Sequence, residues 1–326
     1  TDTYPIELNT MPGWAGSSWY FYRYMDPNND KEFISKESQK YWSDVDIYFG
    51  GSEHATGHLL YSRFYQKFLY DMEYLNEEEY SKKLINQGMI LGNSAFIYRK
   101  SGSSQYISCN LISNLEVDKV RIDIKYVKGK NQVDYNMLKS EDSDFKNSTF
   151  KLENNFFYCV REQEKMSKSK FNVVNPDEIC DQYGADTLRM YEMFLGPIEQ
   201  SKPWDTRGIS GVHSFLKKFW NLFFKDGLIN VSEKEPSKES LKSLHKTIKK
   251  ITEDIEKLSL NTCISSFMIC INELTSVGCN NKKVLENLLI LISPFAPHFA
   301  EELWSQLGYK ESIVNQKYPE YNEKYL

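Results

Sequence analysis

Val45-Asp46-Ile47-Tyr48-Phe49-Gly50-Gly51-Ser52-Glu53-His54-Ala55-Thr56-Gly57-His58-Leu59-Leu60-Tyr61-Ser62-Arg63-Phe64 changes its period halfway along. The first five residues are a short β-rich run, two glycines follow, and Leu59, Leu60, Phe64 and Phe68 then recur at helical spacing. Strand, tight glycine turn and helix in that order read as one unit of an open α/β sheet. The turn lies at the carboxyl end of the strand, where such sheets bind ligands. The expectation is a helix over residues 52–71 that packs through those four apolar side chains.

The texture changes downstream. Between residues 93 and 159, strand-like pieces (Ala95-Phe96-Ile97-Tyr98 and Val120-Arg121-Ile122-Asp123-Ile124) are scattered among Ser, Asn, Asp and Lys, which predicts a small, mostly β insertion without a catalytic-looking cluster. Asn175-Pro176-Asp177-Glu178 is a strong helix start: an Asn cap, Pro at the first helical position, and acids at the positive end of the dipole. A turn at Gly184 separates this helix from a second over residues 187–195, stopped by Gly196-Pro197. From about Gly208 the pattern is helical throughout. Val212, Phe215, Leu216, Phe219 and Phe223 form one stripe, and Leu241, Leu244, Ile248, Ile251, Ile255 and Leu258 a second. Ile264, Phe267, Met268, Ile271 and Leu274 form a third, and Val284, Leu285, Leu288, Leu289 and Ile292 a fourth. The predicted fold is α/β followed by an all-α bundle.

Composition narrows the function classes. At 326 residues, with 40% hydrophobic and 14% aromatic side chains, the chain is long enough for two domains and too apolar for a disordered one. Its longest apolar run, at 288–292, is far short of the ~20 residues of a membrane-spanning helix, so no membrane partner is expected. The first residues contain neither an initiator Met nor a basic-then-apolar leader, which suggests an excised piece. Six cysteines without a C-x-x-C pair, two of them (Cys263, Cys270) in an apolar helical pattern, read as buried free thiols of a cytoplasmic protein. The net charge of −5 is uneven: residues 1–196 hold 23 basic and 29 acidic side chains, residues 197–326 hold 17 and 16. Local patches therefore decide whether RNA is bound. One such patch is Lys242, Lys246, Lys249 and Lys250, off the apolar stripe, able to meet tRNA phosphates or simply to be solvated.

Glu164-Lys165-Met166-Ser167-Lys168-Ser169-Lys170 places two lysines three apart between small hydroxyl residues. Such a loop can fold over a polyphosphate and stabilise a leaving pyrophosphate; a solvated lysine-rich loop or a basic targeting patch are the alternatives. His54 and His58 have the i, i+4 spacing of a zinc pair, but Ala55 stands where a zinc hydrolase needs Glu, so no metal site is assigned.

Lys165-Met166-Ser167-Lys168-Ser169 reproduces the signature pentapeptide of class I aminoacyl-tRNA synthetases. Pro176-Asp177-Glu178 and Tyr183-Gly184-Ala185-Asp186-Thr187-Leu188-Arg189 follow as they do in those enzymes. The segment from Gly50 to Phe64 resembles the leucyl version of the ribose-binding motif. Met11-Pro12-Gly13-Trp14-Ala15-Gly16-Ser17-Ser18-Trp19-Tyr20 is similar to the leucyl segment that walls the amino-acid pocket. The chain thus resembles the leucyl-tRNA synthetases of bacterial type.

The resemblance implies a set of roles. Lys165 and Lys168 would be catalytic. Gly50, Gly51, Glu53, His54 and Lys165, Met166, Ser167, Lys168, Ser169 would bind ATP; Gly50 and Gly51 would admit the nucleotide to the backbone and Glu53 would accept ribose hydroxyls. Gln87, Gly88 and Met89, in Gln87-Gly88-Met89-Ile90, resemble the segment whose backbone meets adenine, with a buried strand as the equal alternative. Trp14, Ser17, Tyr20 and His58 would line the leucine pocket. The implied reaction joins leucine to ATP and passes the leucyl group to tRNA(Leu), with Mg2+ arriving on the ATP and no protein-bound zinc. A cytoplasmic monomer is the expectation. Four regions are implied: 1–92 as the second half of a Rossmann-like catalytic domain, 93–160 as a leucine-specific-type insertion, 161–207 as the signature loop with connecting helices, and 208–326 as an anticodon-binding-type bundle. The H-x-G-H signature of the family is not in this sequence. The first half of the catalytic domain, the editing domain and the C-terminal tRNA-contacting domain are accordingly expected to lie outside it, and the chain alone to be inactive. The alternative is a free-standing tRNA-binding or regulatory paralogue without catalysis.

Overall fold

The computed structural model describes Tyr4, Pro5, Leu8 and residues 13–326. The chain divides into two compact units, one made of the residues up to Met89 with Glu199–Ser201, the other of Ile90–Ile198 with Lys202–Leu326.

In the first unit, α1 (Trp14–Ser17), α2 (Tyr20–Met25) and α3 (Lys36–Trp42) precede β1 (Tyr48–Gly51). Helix α4 (His58–Asp71) then leads to β2 (Leu84–Gln87). The two strands pair in parallel, Gly50 beside Asn86 and Gly51 beside Gln87. Phe21, Tyr22, Ile34, Tyr48, Leu59, Leu75 and Tyr80 form a small core.

The helix differs from the expectation in start and in facing. Ser52–His54 make a 3-10 turn, and Gly57, at φ −124° and ψ −104°, delays the α-helix to His58. Of the four apolar side chains expected inward only Leu59 is buried; Leu60, Phe64 and Phe68 are 62%, 68% and 53% exposed. The buried face instead carries Ser62 and Gln66. The Tyr22 hydroxyl donates to Gln66 Oε1 at 2.5 Å, Gln66 Nε2 to the Glu77 carbonyl at 2.5 Å, and Ser62 Oγ to the His58 carbonyl at 2.8 Å. A polar side chain can be buried when each of its groups finds a partner. Two stripes of α4 have helical spacing, and periodicity alone does not choose between them.

The second unit is organised by β3 (Ile90–Lys100), followed by β4 (Gln105–Ile107), β5 (Val117–Ile122), β6 (Val127–Lys128), β7 (Gln132–Val133), α5 (Tyr135–Glu141), β8 (Thr149–Lys151) and β9 (Val160–Lys165). β3 runs antiparallel to β9 from Leu91↔Lys165 to Phe96↔Val160 and antiparallel to β5 from Ala95↔Ile122 to Lys100↔Val117. Ala95 and Phe96 pair with both, so β5 and β9 occupy opposite edges of β3. Side chains alternate across a strand: Ala95, Ile97 and Ile122 enter a core with Leu138, Phe157 and Cys159, while Ser94 and Phe96 point to the other face. The strand-like piece read at 95–98 is the middle of an eleven-residue strand that passes straight through position 92/93. The insertion also holds a helix, α5, that the scattered polar sequence concealed; its cap is Asp134, whose Oδ1 accepts from the Met137 amide at 3.0 Å.

β9 runs into the lysine-rich loop, then α6 (Pro176–Tyr183) and α7 (Ala185–Phe194). The Asn175 side chain caps α6 by accepting from the Asp177 amide at 3.1 Å, and Gly184, at φ +88°, makes the turn. β10 (Lys202–Pro203) pairs in parallel with the start of β3. Next come α8 (Ile209–Asn221), the small hairpin of β11 (Phe224–Lys225) and β12 (Leu228–Ile229), and α9 (Lys238–Glu256), α10 (Leu260–Ser276), α11 (Lys282–Ile292) and α12 (Pro297–Gln306). The α8, α10 and α11 stripes are buried as patterned except for Met268, which is partly buried. On α9, Leu244, Ile248 and Ile251 are buried, but Leu258 lies beyond the helix end at φ +57°. Ser243, Thr247 and Asp254 complete the α9 face. Ser243 Oγ donates to Glu273 Oε2 at 2.6 Å, Thr247 Oγ1 to the Ser243 carbonyl at 2.8 Å, and Thr262 Oγ1 to Asp254 Oδ2 at 2.6 Å. All six cysteines are free thiols, and burial pushes the Cys263 thiol up to about 12.

Phe267 is fully buried in the bundle. Truncation to Ala removes a ring that the packed helices cannot collapse around, so Phe267→Ala is expected to cost about 3–5 kcal/mol in urea unfolding. Ile269→Ala, two residues on and 58% exposed, should stay within about 0.5 kcal/mol. Equal losses at both positions would contradict this packing.

Candidate active site

In the first unit, the parallel pairing of β1 and β2 gathers two of the motifs. The Gly50-Gly51 turn and the Gln87-Gly88-Met89 segment emerge side by side, Gly51 beside Gln87, at the carboxyl ends of the strands. Among the described residues nothing lies within 4 Å of the position a Gly50 Cβ would take, which leaves that backbone open to a ligand. A Cβ on Gly51 would sit 2.1 Å from the Glu53 carboxylate, which folds back over the turn beside His54. Gly88 is needed for another reason: its Cβ would meet the Gln200 carbonyl carbon at 2.0 Å. The Met89 amide donates to Ser201 Oγ at 3.1 Å.

The residues expected to form the leucine pocket fall into two contacts. The Trp14 indole stands edge-on to Tyr61 at 5.7 Å between ring centroids and so close to Gly57 that a Cβ there would be 2.4 Å from it. Tyr20, Tyr48 and His58 form a hydrogen-bonded chain, Tyr20 Oη to Tyr48 Oη at 3.0 Å and Tyr48 Oη to His58 Nε2 at 2.6 Å. Burial, and secondarily the neighbouring His54, hold the His58 pKa below the usual imidazole value, so the ring stays neutral at pH 7. Ser17 donates its hydroxyl to the Trp14 carbonyl at 3.0 Å. Met11 and Pro12 of that segment lie outside the described residues.

The lysine-rich loop, in the second unit, is held at several points. Met166 packs against the helical core. Asn172, almost fully buried, accepts from the Ser167 amide at 2.9 Å and donates to Ser94 Oγ at 3.0 Å and, at 3.4 Å, to the Lys165 carbonyl. Gly92 makes room: a Cβ there would meet the Asn172 carbonyl oxygen at 2.4 Å and Met166 Cγ at 3.0 Å. The loop then turns through Lys168–Lys170 and leaves through Phe171 at φ +51°. Ser167 Oγ and Ser169 Oγ are 2.9 Å apart.

Charge is divided within this loop. Glu164 is bound by Arg121 at 3.0 Å and Lys170 at 3.3 Å, and accepts from Ser94 Oγ at 3.0 Å. Hydrogen bonding to Arg121 is the chief cause that pulls its carboxyl down to about 2. Lys165 and Lys168 are exposed, and among the described residues neither ammonium group forms an ion pair. The loop therefore offers two free cations on a braced backbone. Further along, Lys242 and Lys246 are exposed on α9, and Lys249 lies over the Tyr321 ring at 5.4 Å. Lys250 is committed at 2.7 Å to the buried Asp254, which narrows the expected basic face to three residues.

Residues 154–204, which contain the loop, match the family described as tRNA synthetases class I (I, L, M and V), and residues 237–326 match the anticodon-binding domain of tRNA ligase. Leucine–tRNA ligases of Christiangramia forsetii and Flavobacterium psychrophilum are 58% and 60% identical over 99% and 100% of the chain. The chain belongs to the leucyl-tRNA synthetase family. It spans about a third (34%) of the length of both relatives. A crystal structure of the ternary complex of Agrobacterium radiobacter K84 agnB2 LeuRS with tRNA and LeuAMS is similar over 95% of the chain and 34% of that protein, with TM-score 0.64 and 25% identity. The fold is accordingly a catalytic segment of a class I synthetase, with a mixed sheet, followed by a helical anticodon-binding domain.

Four residues that shape these local arrangements carried no clear signal in the sequence. Tyr48 joins Tyr20 to His58, Gly57 admits the Trp14 indole, and Arg121 and Asn172 brace the signature loop. Gly57 was the most accessible, since a glycine at the start of an apolar helix calls for a reason.

Because the Glu164 carboxyl has its ordinary value of 4.5 when unfolded and about 2 when folded, its contribution to stability is complete above pH 5 and lost as pH falls toward 2. Wild type should therefore be more stable than Glu164→Gln at pH 7, and the difference between their urea midpoints should shrink steadily between pH 5 and pH 3. A pH-independent difference would show that the charge on Glu164 is not what the network uses.

Proposed function

We propose that this chain supplies part of the working machinery of a leucine–tRNA ligase, with regions 1–92, 93–160, 161–207 and 208–326 serving as a catalytic half, an insertion, a signature-loop segment and an anticodon-binding-type bundle. The observation that carries the reading is the pair of exposed cations Lys165 and Lys168, without an ion pair among the described residues, on a loop fixed by Asn172 and Met166. In the reaction, a leucine carboxylate oxygen forms a bond to the α-phosphorus of ATP. The bond from that phosphorus to its bridging oxygen breaks, and the electron pair leaves with pyrophosphate. Negative charge grows on the leaving group, and cations already in position stabilise it without reorganising. Glu53 accepts hydrogen bonds from the ribose hydroxyls, the open backbone at Gly50 approaches the nucleotide, and the Gln87–Met89 backbone meets the adenine.

A neutral His58 suits an apolar substrate. It offers shape and a ring surface to the leucine side chain, beside Trp14 and Tyr20, without the cost of burying a charge. Mg2+ would come with the nucleotide: the side chains at the loop tip are ammonium and hydroxyl groups, and the neighbouring Glu164 carboxylate is already taken by Arg121 and Lys170. Lys242, Lys246 and Lys249 would neutralise tRNA(Leu) phosphates, an interaction that weakens with salt. A methylene is worth only about 1–3 kcal/mol of discrimination, so a pocket of this kind depends on editing elsewhere in a synthetase. The setting is the cytoplasm.

In the full-length protein, Lys168→Ala is expected to slow leucine-dependent ATP–pyrophosphate exchange by about 100- to 1000-fold, the scale for removing one transition-state donor, while leucine affinity changes less than about threefold. Equal losses in both would mean that the loop binds substrate and does no transition-state work. The chain by itself should support no exchange; if it does, the catalytic centre is differently composed.

A further inference from the structure

The β5–β3–β9 face that points away from the insertion core carries two cation–carboxylate rungs across Phe96. Register puts Ser94 and Phe96 of β3, Lys119 and Arg121 of β5, and Glu162 and Glu164 of β9 on this side. Lys119 Nζ and Arg121 Cζ stand 4.0 and 4.5 Å from the Phe96 ring centroid. The outer rung, Lys119 with Glu162, ends in solvent. The inner rung does not: Arg121 Nη1 and Nη2 donate to the two Glu164 carboxylate oxygens at 3.0 and 3.3 Å, and Nη1 also reaches the Lys170 carbonyl at 3.5 Å. Glu164 immediately precedes the signature pentapeptide and Lys170 immediately follows it.

We propose that Arg121 is a positioning residue for the signature loop, a guanidinium on a strand of the insertion that clasps the loop at both ends and fixes where Lys165 and Lys168 stand. The geometry asks for Arg. Its planar fork engages both carboxylate oxygens and the carbonyl at once, whereas a lysine at 121 has one ammonium group to share among them. Phe96 supports the guanidinium from beneath, and Lys170, paired with Glu164 at 3.3 Å, draws the two ends together. The insertion thereby acts on the loop through one side chain.

This inference rests on the loop's proposed role in adenylate formation, and the test separates the two in the full-length protein. Hydrogen exchange of the amides of residues 165–171, read by mass spectrometry, should quicken at least fivefold in Arg121→Ala and in Glu164→Gln. The double variant should be no faster than the worse single one, and Arg121→Lys should be intermediate. Lys119→Ala, which removes the outer rung, should leave the loop unchanged. In ATP–pyrophosphate exchange, Arg121→Ala should lower kcat or raise the KM for ATP at least fivefold with the KM for leucine unchanged. Loop exchange as slow as wild type in Arg121→Ala overturns the inference. So does a loosened loop with normal ATP kinetics, provided that Lys168→Ala is impaired in the same assay. If Lys168→Ala is unimpaired as well, the failure lies in the catalytic reading of the loop, and the hydrogen-exchange result alone decides whether Arg121 clasps it.

Discussion

The sheet of the second unit depends on the requirement that β3 have partners along both edges. Buried backbone donors and acceptors must be paired, and β9 with β4 on one edge and β10 with β5 on the other meet that need over most of the strand. Because β9 is the strand that ends in the signature loop, the pairing of Leu91 with Lys165 sets the height at which the loop departs. Gly92 is the point where this constraint reaches the loop. Its missing side chain is the space that the Asn172 carbonyl and Met166 occupy, so strand and loop approach more closely than any other residue would allow.

Within the loop, acidic and basic groups are sorted by whether they are spent. Glu164, Lys170 and Arg121 satisfy one another, and Ser94 and Asn172 satisfy the backbone and one another beneath them. Lys165 and Lys168 are left over. A composition reading sees a lysine-rich stretch, whereas the structure distinguishes the lysine that holds the loop from those that it presents. The same sorting occurs on α9, where Lys250 is taken by Asp254 and Lys242 and Lys246 are not.

Much of the fold was legible because it repeats: the bundle stripes, the Asn175 cap and the Gly184 turn each leave a local mark. The facing of α4 was not legible, because Leu60, Phe64 and Phe68 make as good a stripe as Leu59, Ser62 and Gln66, and only the partners supplied by Tyr22 and Glu77 settle which one turns inward. Ser243, Thr247 and Asp254 on α9 were missed for the same reason, since a sequence shows the cost of burying a hydroxyl or carboxylate and hides the partner that offsets it. In the candidate site, the pentapeptide and the glycines stand out by identity. Arg121 did not, because what connects it to Glu164 is β-sheet register over 43 residues.

Exposure of the Leu60, Phe64 and Phe68 stripe has a further physical meaning. Parallel strands ordinarily occur in sheets covered on both faces, and two strands alone give little independent stability. Here β1 and β2 form a two-stranded parallel sheet, and α4, which connects them, turns three large apolar side chains to solvent. Three such residues at spacings of four make a continuous ridge along one side of the helix. On the inner side, Gln66 accepts from the Tyr22 hydroxyl and donates to the Glu77 carbonyl, and Ser62 donates to the His58 carbonyl within the helix. The inner face is thus satisfied while the outer face stays uncovered among the described residues, and the parallel register of β1 and β2 sets the glycine turn at Gly50-Gly51 beside Gln87.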